Sequence, residues 1–439
     1  MEMLHMSTKI NRFQDFLKNR VGKSASKMAQ NKVLQSIQQG MIATLPFLIL
    51  GSFASIIINF PYTPFSQFLK NSGLYPFLNV PYQLTMGILA IYVTFFTAKA
   101  YGEKENIHSI LPAITSVLSL VMLSPLKVLA IKGPQGKVTS TPFIPFDNIG
   151  VKGLFLGLII SILVSDFYCR LIKSKWTIKM PEGVPETISA SFKSLIPVIV
   201  ISIIIVIIKY LMSLTPYGDL NSAIYSLLQV PLQKIGTSPW AILLVVILNS
   251  LFFYFGIHSL AINSIVMPIL YALDFQNLAA FHAGNAIPNM ITWRFFYMTS
   301  KIGGTGCTLG LIIFMAFFAK SKQFKVLGRL SIVPALFNTD EPVIFGLPIV
   351  LNPIMFIPFI LAPVISFIGS YICELLHIVN PVIGLALPEQ TPIVISGLLQ
   401  SGPAFAILQV IMIIITALIY LPFAKIADNQ ALAREKSEN

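Results

Sequence analysis

The chain has 439 residues, of which 55% are hydrophobic and 11% charged, and it carries a formal net charge of +13. A soluble domain holds about 25% charged residues, so this composition excludes one and indicates an all-α polytopic membrane protein. The basic residues fall in short clusters between apolar runs, which suits cytoplasm-facing loops and argues against a nucleic-acid partner. Cys169, Cys307 and Cys373 lie in or beside apolar runs, without Cys-x-x-Cys spacing or a histidine cluster. No disulfide framework, metal site or cofactor is therefore expected.

In chain order, residues 1–32 read as a basic amphipathic segment. Ile10, Phe13, Phe16 and Leu17 form an apolar face suited to the cytoplasmic membrane surface, and no cleaved signal peptide is read. Spans are expected near 34–59, 82–100, 108–126, 152–172 and 195–208, the first interrupted by Pro46 and Gly51. Glycines and prolines between short β-branched pieces predict an external hairpin-like loop over 127–150. Arg170, Lys173, Lys175 and Lys179 place the end of the fourth span in the cytoplasm.

These spans make one domain, 33–215, followed by an amphipathic connector at 216–238. Beyond it, over 239–424, prolines, glycines and lone polar residues interrupt almost every apolar run. Interrupted helices in one half of a transporter point to the substrate site. The basic stretch Lys320, Lys322, Lys325 and Arg329 returns the chain to the cytoplasmic side, and 425–439 reads as a cytoplasmic tail.

The second half is organised around 337–353, where Asp340 and Glu341 sit in an apolar run broken by Pro342, Pro348 and Pro353. Proline removes a backbone donor, so this segment needs partners from neighbouring protein or a wet cavity. A re-entrant hairpin lining a polar site meets that need; a solvated loop whose carboxylates cap a helix start is the alternative. Each ionisable residue at membrane depth costs about 2.5–3.5 kcal/mol on insertion scales, which makes the pair functional candidates. Gly303-Gly304-Thr305-Gly306 opens another apolar run, either to pack closely or to present free N–H groups. A further broken segment is Leu387-Pro-Glu-Gln-Thr-Pro392.

Phe-Gly-Ile-His-Ser at 255–259, Gly-Gly-Thr-Gly at 303–306 and Asp-Glu-Pro-Val-Ile-Phe-Gly-Leu-Pro-Ile-Val-Leu-Asn-Pro at 340–353 carry a likeness. The chain resembles the membrane component, enzyme IIC, of bacterial sugar phosphotransferase systems, in the lactose/cellobiose/chitobiose branch. The resemblance implies about ten spans with re-entrant hairpins and interfacial helices, in a two-domain elevator-type transporter of the cell membrane. It also implies homodimerisation through the N-terminal half and a C-terminal half that carries the sugar. A separate cytoplasmic enzyme IIB, with enzyme IIA upstream, would supply the phosphoryl group.

Carried onto these positions, the likeness makes Glu341 and His258 the pair that holds the reacting sugar end, with Glu341 able to accept the hydroxyl proton. Asn285, Asn289 and Asn338 either bind sugar hydroxyls or satisfy broken backbone. Gly303 and Gly304 serve packing before ligand contact, and Trp293 suits the membrane interface better than a sugar face. The sequence departs from the usual pattern at Ser259, at Asp340, and at Glu389 and Gln390, which replace a tryptophan-threonine pair. Asp340 adds a second acid beside Glu341, and Glu389 exchanges a stacking surface for hydrogen bonding. A proton-coupled sugar transporter and a non-transporting sugar sensor are the rival readings.

Overall fold

A computed structural model of the chain describes residues 30–59, 63–132, 138–175, 177–178, 181, 185–256, 259–347 and 349–438. The basic amphipathic segment expected at 1–32 thus lies almost wholly outside the described residues. The described chain is mostly helical and divides into two compact units, one of Lys32–Lys234 and one that includes Ile235–Asn439. Six of its helices are long and apolar enough to cross a membrane, or seven if Leu220–Gly236 and Pro239–Tyr254 count as one span.

In the first unit, α1 (Lys32–Ile58) runs through Pro46 and is followed by the short helices α2 (Thr63–Asn71) and α3 (Tyr75–Gln83). The buried centre is α4 (Leu89–Lys104), with Val93, Thr94, Thr97 and Ala98 fully enclosed. Small residues let its neighbours come close: a Cβ at Gly40 or Gly157 would collide with the Thr97 or Thr94 hydroxyl. Beside it stand α5 (Leu111–Leu123) and α6 (Leu154–Lys173), and α7 (Glu186–Ser213) packs on those two. Leu120, Leu156, Ile160, Tyr168 and Ile201 fill the core they share.

The segment between α5 and α6 departs from the helical pattern. Strands β1 (Lys127–Lys132) and β2 (Val138–Phe143) pair antiparallel, with Lys127 opposite Phe143 and Lys132 opposite Val138. Val128, Ile131, Val138, Thr139 and Thr141 are β-branched and suit a pleated ribbon. Then α8 (Leu220–Gly236) contains a π-helical turn at Tyr225–Gln229.

In the second unit, α9 (Pro239–Tyr254) starts at a Ser238 cap that accepts from the Ala241 N–H. Next come α10 (Leu260–His282), α11 (Trp293–Ser300), α12 (Leu309–Phe317) and α13 (Lys322–Leu336). The remaining helices are α14 (Glu341–Gly346), α15 (Pro353–Leu375), α16 (Ile395–Ser401) and α17 (Pro403–Glu438). The last continues as helix through most of 425–439, the segment read from sequence as a tail. Its carboxylates hold the start of α13: Asp428 accepts from the Lys320 and Ser321 N–H groups, and Glu435 from those of Lys322 and Gln323. Anionic groups at a helix N-terminus are favourable there.

Candidate functional site

Three stretches without regular helix meet in the second unit: 301–308, 337–340 and 382–391. The meeting point is the end of α13. Asn338 adopts a left-handed conformation (φ 58°), its N–H donates to the Ala335 carbonyl, and the Thr339 N–H reaches back to Pro334. This pair of bonds is a Schellman closure, for which asparagine is the usual substitute for glycine. The Asn338 side chain then joins all three stretches. Its Oδ1 accepts from the Gly303 N–H at 3.2 Å, and its Nδ2 donates to the carbonyls of Glu389 (3.1 Å) and Thr391 (3.3 Å).

Asp340 is 4% exposed and occupies the N-cap position of α14 without a side-chain cap bond. Its Oδ2 accepts from the Thr308 hydroxyl at 3.2 Å, which also donates to the Gly303 carbonyl at 3.0 Å. Gly303 and Gly304 both have positive φ, and a Cβ at Gly304 would overlap the Asp340 carboxylate. The two glycines therefore let the loop turn and let the acid lie against it.

Behind this layer, side-chain amides satisfy backbone that no helix serves. Asn277 donates to the carbonyls of Asn289 (2.7 Å) and Val382 (2.8 Å) and accepts from the Asn289 N–H (3.0 Å). The Asn289 side chain in turn donates to Asn277 and Gln276. Gln400 pairs with Leu385 on both sides, accepting from its N–H at 3.0 Å and donating to its carbonyl at 2.7 Å. Asp274, 1% exposed, accepts from the Arg294 N–H at the start of α11. Trp293 is 2% exposed, stacks on Tyr271 and donates from Nε1 to Glu389 Oε1 at 3.2 Å. The interface position expected for Trp293 is thus replaced by a buried one, because its N–H finds a carboxylate inside the unit.

The residues expected to form the site separate accordingly. Gly303, Gly304, Asn338, Asp340 and Glu389 come together, and Asn289 belongs to the amide layer behind them. Asn285 and Gln390 are exposed on loops. Glu341 opens α14, with its side chain outside the described residues, and His258 lies outside them altogether. Asp274, Asn277, Arg294 and Thr308 are additions. The signal for Arg294 was in the sequence: a lone arginine in the run Ile-Thr-Trp-Arg-Phe-Phe is an ionisable residue at membrane depth. Arg294, Tyr297, Asn338, Glu389, Thr391 and Gln400 line a small cavity with about 10 Å³ of free space, room for one water. Among the described residues, no three His, Cys, Asp or Glu side chains converge as a metal site would need.

The family described as "Phosphotransferase system, EIIC" matches residues 38–363. The cellobiose-specific EIIC component of Geobacillus stearothermophilus is 34% identical, over 98% of this chain and 97% of the relative. The lactose-specific EIICB component of Lactococcus lactis subsp. lactis is 32% identical over 94% of this chain and 72% of its own length. Among solved structures, the transporter ChbC, the IIC component from the N,N'-diacetylchitobiose-specific phosphotransferase system, superposes with a TM-score of 0.89. It is 36% identical, over 96% of this chain and 99% of that one. Agreement of this extent in sequence and backbone establishes that the chain is a membrane protein of the phosphotransferase system EIIC family.

Proposed function

We propose that this protein carries a β-linked disaccharide such as cellobiose, chitobiose or lactose across the bacterial cell membrane and presents it for phosphorylation by a separate EIIB protein, itself charged by EIIA. The observation that carries this reading is the near full-length match to ChbC, which is named for the disaccharide N,N'-diacetylchitobiose. The lactose relative's name joins EIIC and EIIB in one chain, which supports EIIB as the partner. In this reading Glu341 accepts the proton of the reacting hydroxyl, while His258 donates to a sugar oxygen and steadies the incoming phosphoryl charge. Asn338, Asp340, Gly303 and Gly304 hold the loop that presents Glu341. Asn289 supports them from behind, and Asn285, Glu389 and Gln390 face the sugar.

The finer architecture belongs to the same proposal: about ten spans with re-entrant segments, residues 33–215 as scaffold and 239–424 as an elevator-type carrier, and both termini in the cytoplasm. The scaffold is proposed to form a homodimer. Ile188–Ser213 suits such a contact because only 17% of its most apolar stretch is buried within the chain. Binding of a mono- and disaccharide panel to purified protein tests the site. The reading requires selective disaccharide binding that weakens in both Glu341→Gln and His258→Ala. Equal binding by all three proteins removes that pair from the site.

A further inference from the structure

Arg294 lies in the first turn of α11, is 3% exposed, and lines the small cavity beside Tyr297 and Glu389. Its guanidinium carbon sits 5.5 Å from the centre of the Tyr271 ring. Two of its donors, Nε and Nη2, are buried and meet no acceptor among the described residues. A buried cation with idle donors is unfavourable unless something fills them. Nε and Nη2 form one edge of the guanidinium, a rigid fork that gives two parallel hydrogen bonds to a pair of neighbouring oxygens.

The same cavity wall supplies an acceptor. Glu389 takes the Trp293 N–H on Oε1, and a carboxylate has capacity for further donors. We propose that Arg294 and Glu389 form a specificity clamp for two adjacent hydroxyls of the transported sugar. Arg294 donates to both oxygens through Nε and Nη2, and Glu389 accepts a proton from one of the hydroxyls in a hydrogen bond. This rests on the reading of the chain as a disaccharide permease. A neutral diol fits better than an anion, because an anion at Arg294 would meet two carboxylates: Glu389 on the wall, and Asp274, which accepts the Arg294 backbone N–H at 3.2 Å. The free space of about 10 Å³ holds a water and not a ring, so the wall at 388–391 moves outward as the sugar seats.

Calorimetric binding to the purified full-length protein tests the clamp, with cellobiose and lactose as neutral probes and cellobiouronic acid as the anionic one. Arg294→Lys keeps the charge but loses the fork, Arg294→Met loses both, and Glu389→Gln loses the anionic acceptor. The clamp requires that the wild type bind a neutral disaccharide, that each variant weaken it by about tenfold or more, and that Arg294→Met narrow the preference between cellobiose and lactose. Unfolding temperatures identify any variant that has lost its fold; Glu389, half-buried, supplies the independent substitution. Unchanged affinity and ranking in folded Arg294→Met or Glu389→Gln overturns the clamp alone. Wild-type preference for the uronate, lost in Arg294→Met, overturns the diol in favour of an anion. No disaccharide binding by wild type removes the permease reading and the clamp with it.

Discussion

Asn338 Oδ1 accepts the backbone N–H of Gly303 at 3.2 Å, joining residues 35 positions apart. The same side chain donates to Glu389 and Thr391, while its backbone closes α13 in a left-handed conformation. One residue thus ends a helix and fastens two loops to its end. Replacing it separates these roles. Asn338→Ala loses the side-chain bonds and meets the cost of positive φ, for a destabilisation of about 2–4 kcal/mol. Asn338→Gly keeps the backbone form, so its loss is smaller, about 1–3 kcal/mol. Unfolding in detergent gives the order wild type, glycine, alanine, and sugar affinity falls in both variants. Equal stability of all three would show that the bonds contribute nothing.

At Gly304 the constraint is steric. A methyl group there points into the Asp340 carboxylate, on a backbone with φ 108°. Gly304→Ala should cost about 1–3 kcal/mol and displace Asp340 from Thr308, lowering sugar affinity and phosphorylation together. The companion Gly304→Ala/Asp340→Ser, which removes the overlap, recovers part of the stability. No recovery would place the strain in the backbone alone.

Lys209 tests the first unit independently of the site. Its ammonium donates to the carbonyls of Met122 (2.6 Å) and Ser124 (3.0 Å) at the end of α5. These carbonyls have no partner in their own helix, and a cation is favoured there. Lys209→Met should lower stability by about 1–3 kcal/mol and leave sugar affinity per folded molecule unchanged. A matching fall in affinity would contradict the assignment of this bond to the scaffold alone.

Glu105 gives the pH dependence. Its carboxylate receives Lys173 (2.8 Å) and Lys32 (2.9 Å), and those bonds hold it below its ordinary value of 4.5. Because the folded value is depressed, the stabilisation is fully present above pH 4.5 and is lost as pH falls through the folded value. The lysines are exposed, so the contribution is under about 1 kcal/mol and shrinks in salt. The unfolding temperature of wild type minus that of Glu105→Gln should be positive near pH 7, converge below pH 4.5, and narrow in high salt. A difference that grows on acidification would reverse the sign and sink the assignment.

Runs whose partners are local were legible from sequence. Pro239–Tyr254 is an apolar stretch opened by a capping serine, and it forms one unbroken helix. By contrast, Asn263, Pro268 and Asp274 interrupt the apolar pattern of Leu260–His282. It remains one helix because distant groups satisfy those interruptions: Asn263 accepts from Asn249, and Asp274 from Arg294. The site divides in the same way. Asp340 and the glycines stood out by composition, whereas Asn277 and Gln400 look like ordinary amides until the chain returns at Val382 and Leu385. Their role depends on contacts that no local pattern encodes.

Transport and phosphorylation are proposed to be one process at this site, and membrane vesicles test that coupling. Vesicles bearing this chain, supplied with phosphorylated EIIB of a cellobiose system and radiolabelled cellobiose, should convert the sugar to its phosphate. That conversion should stop in Glu341→Gln and continue when the proton gradient is collapsed. Uptake of unmodified sugar that follows the proton gradient and ignores phosphorylated EIIB would contradict the account.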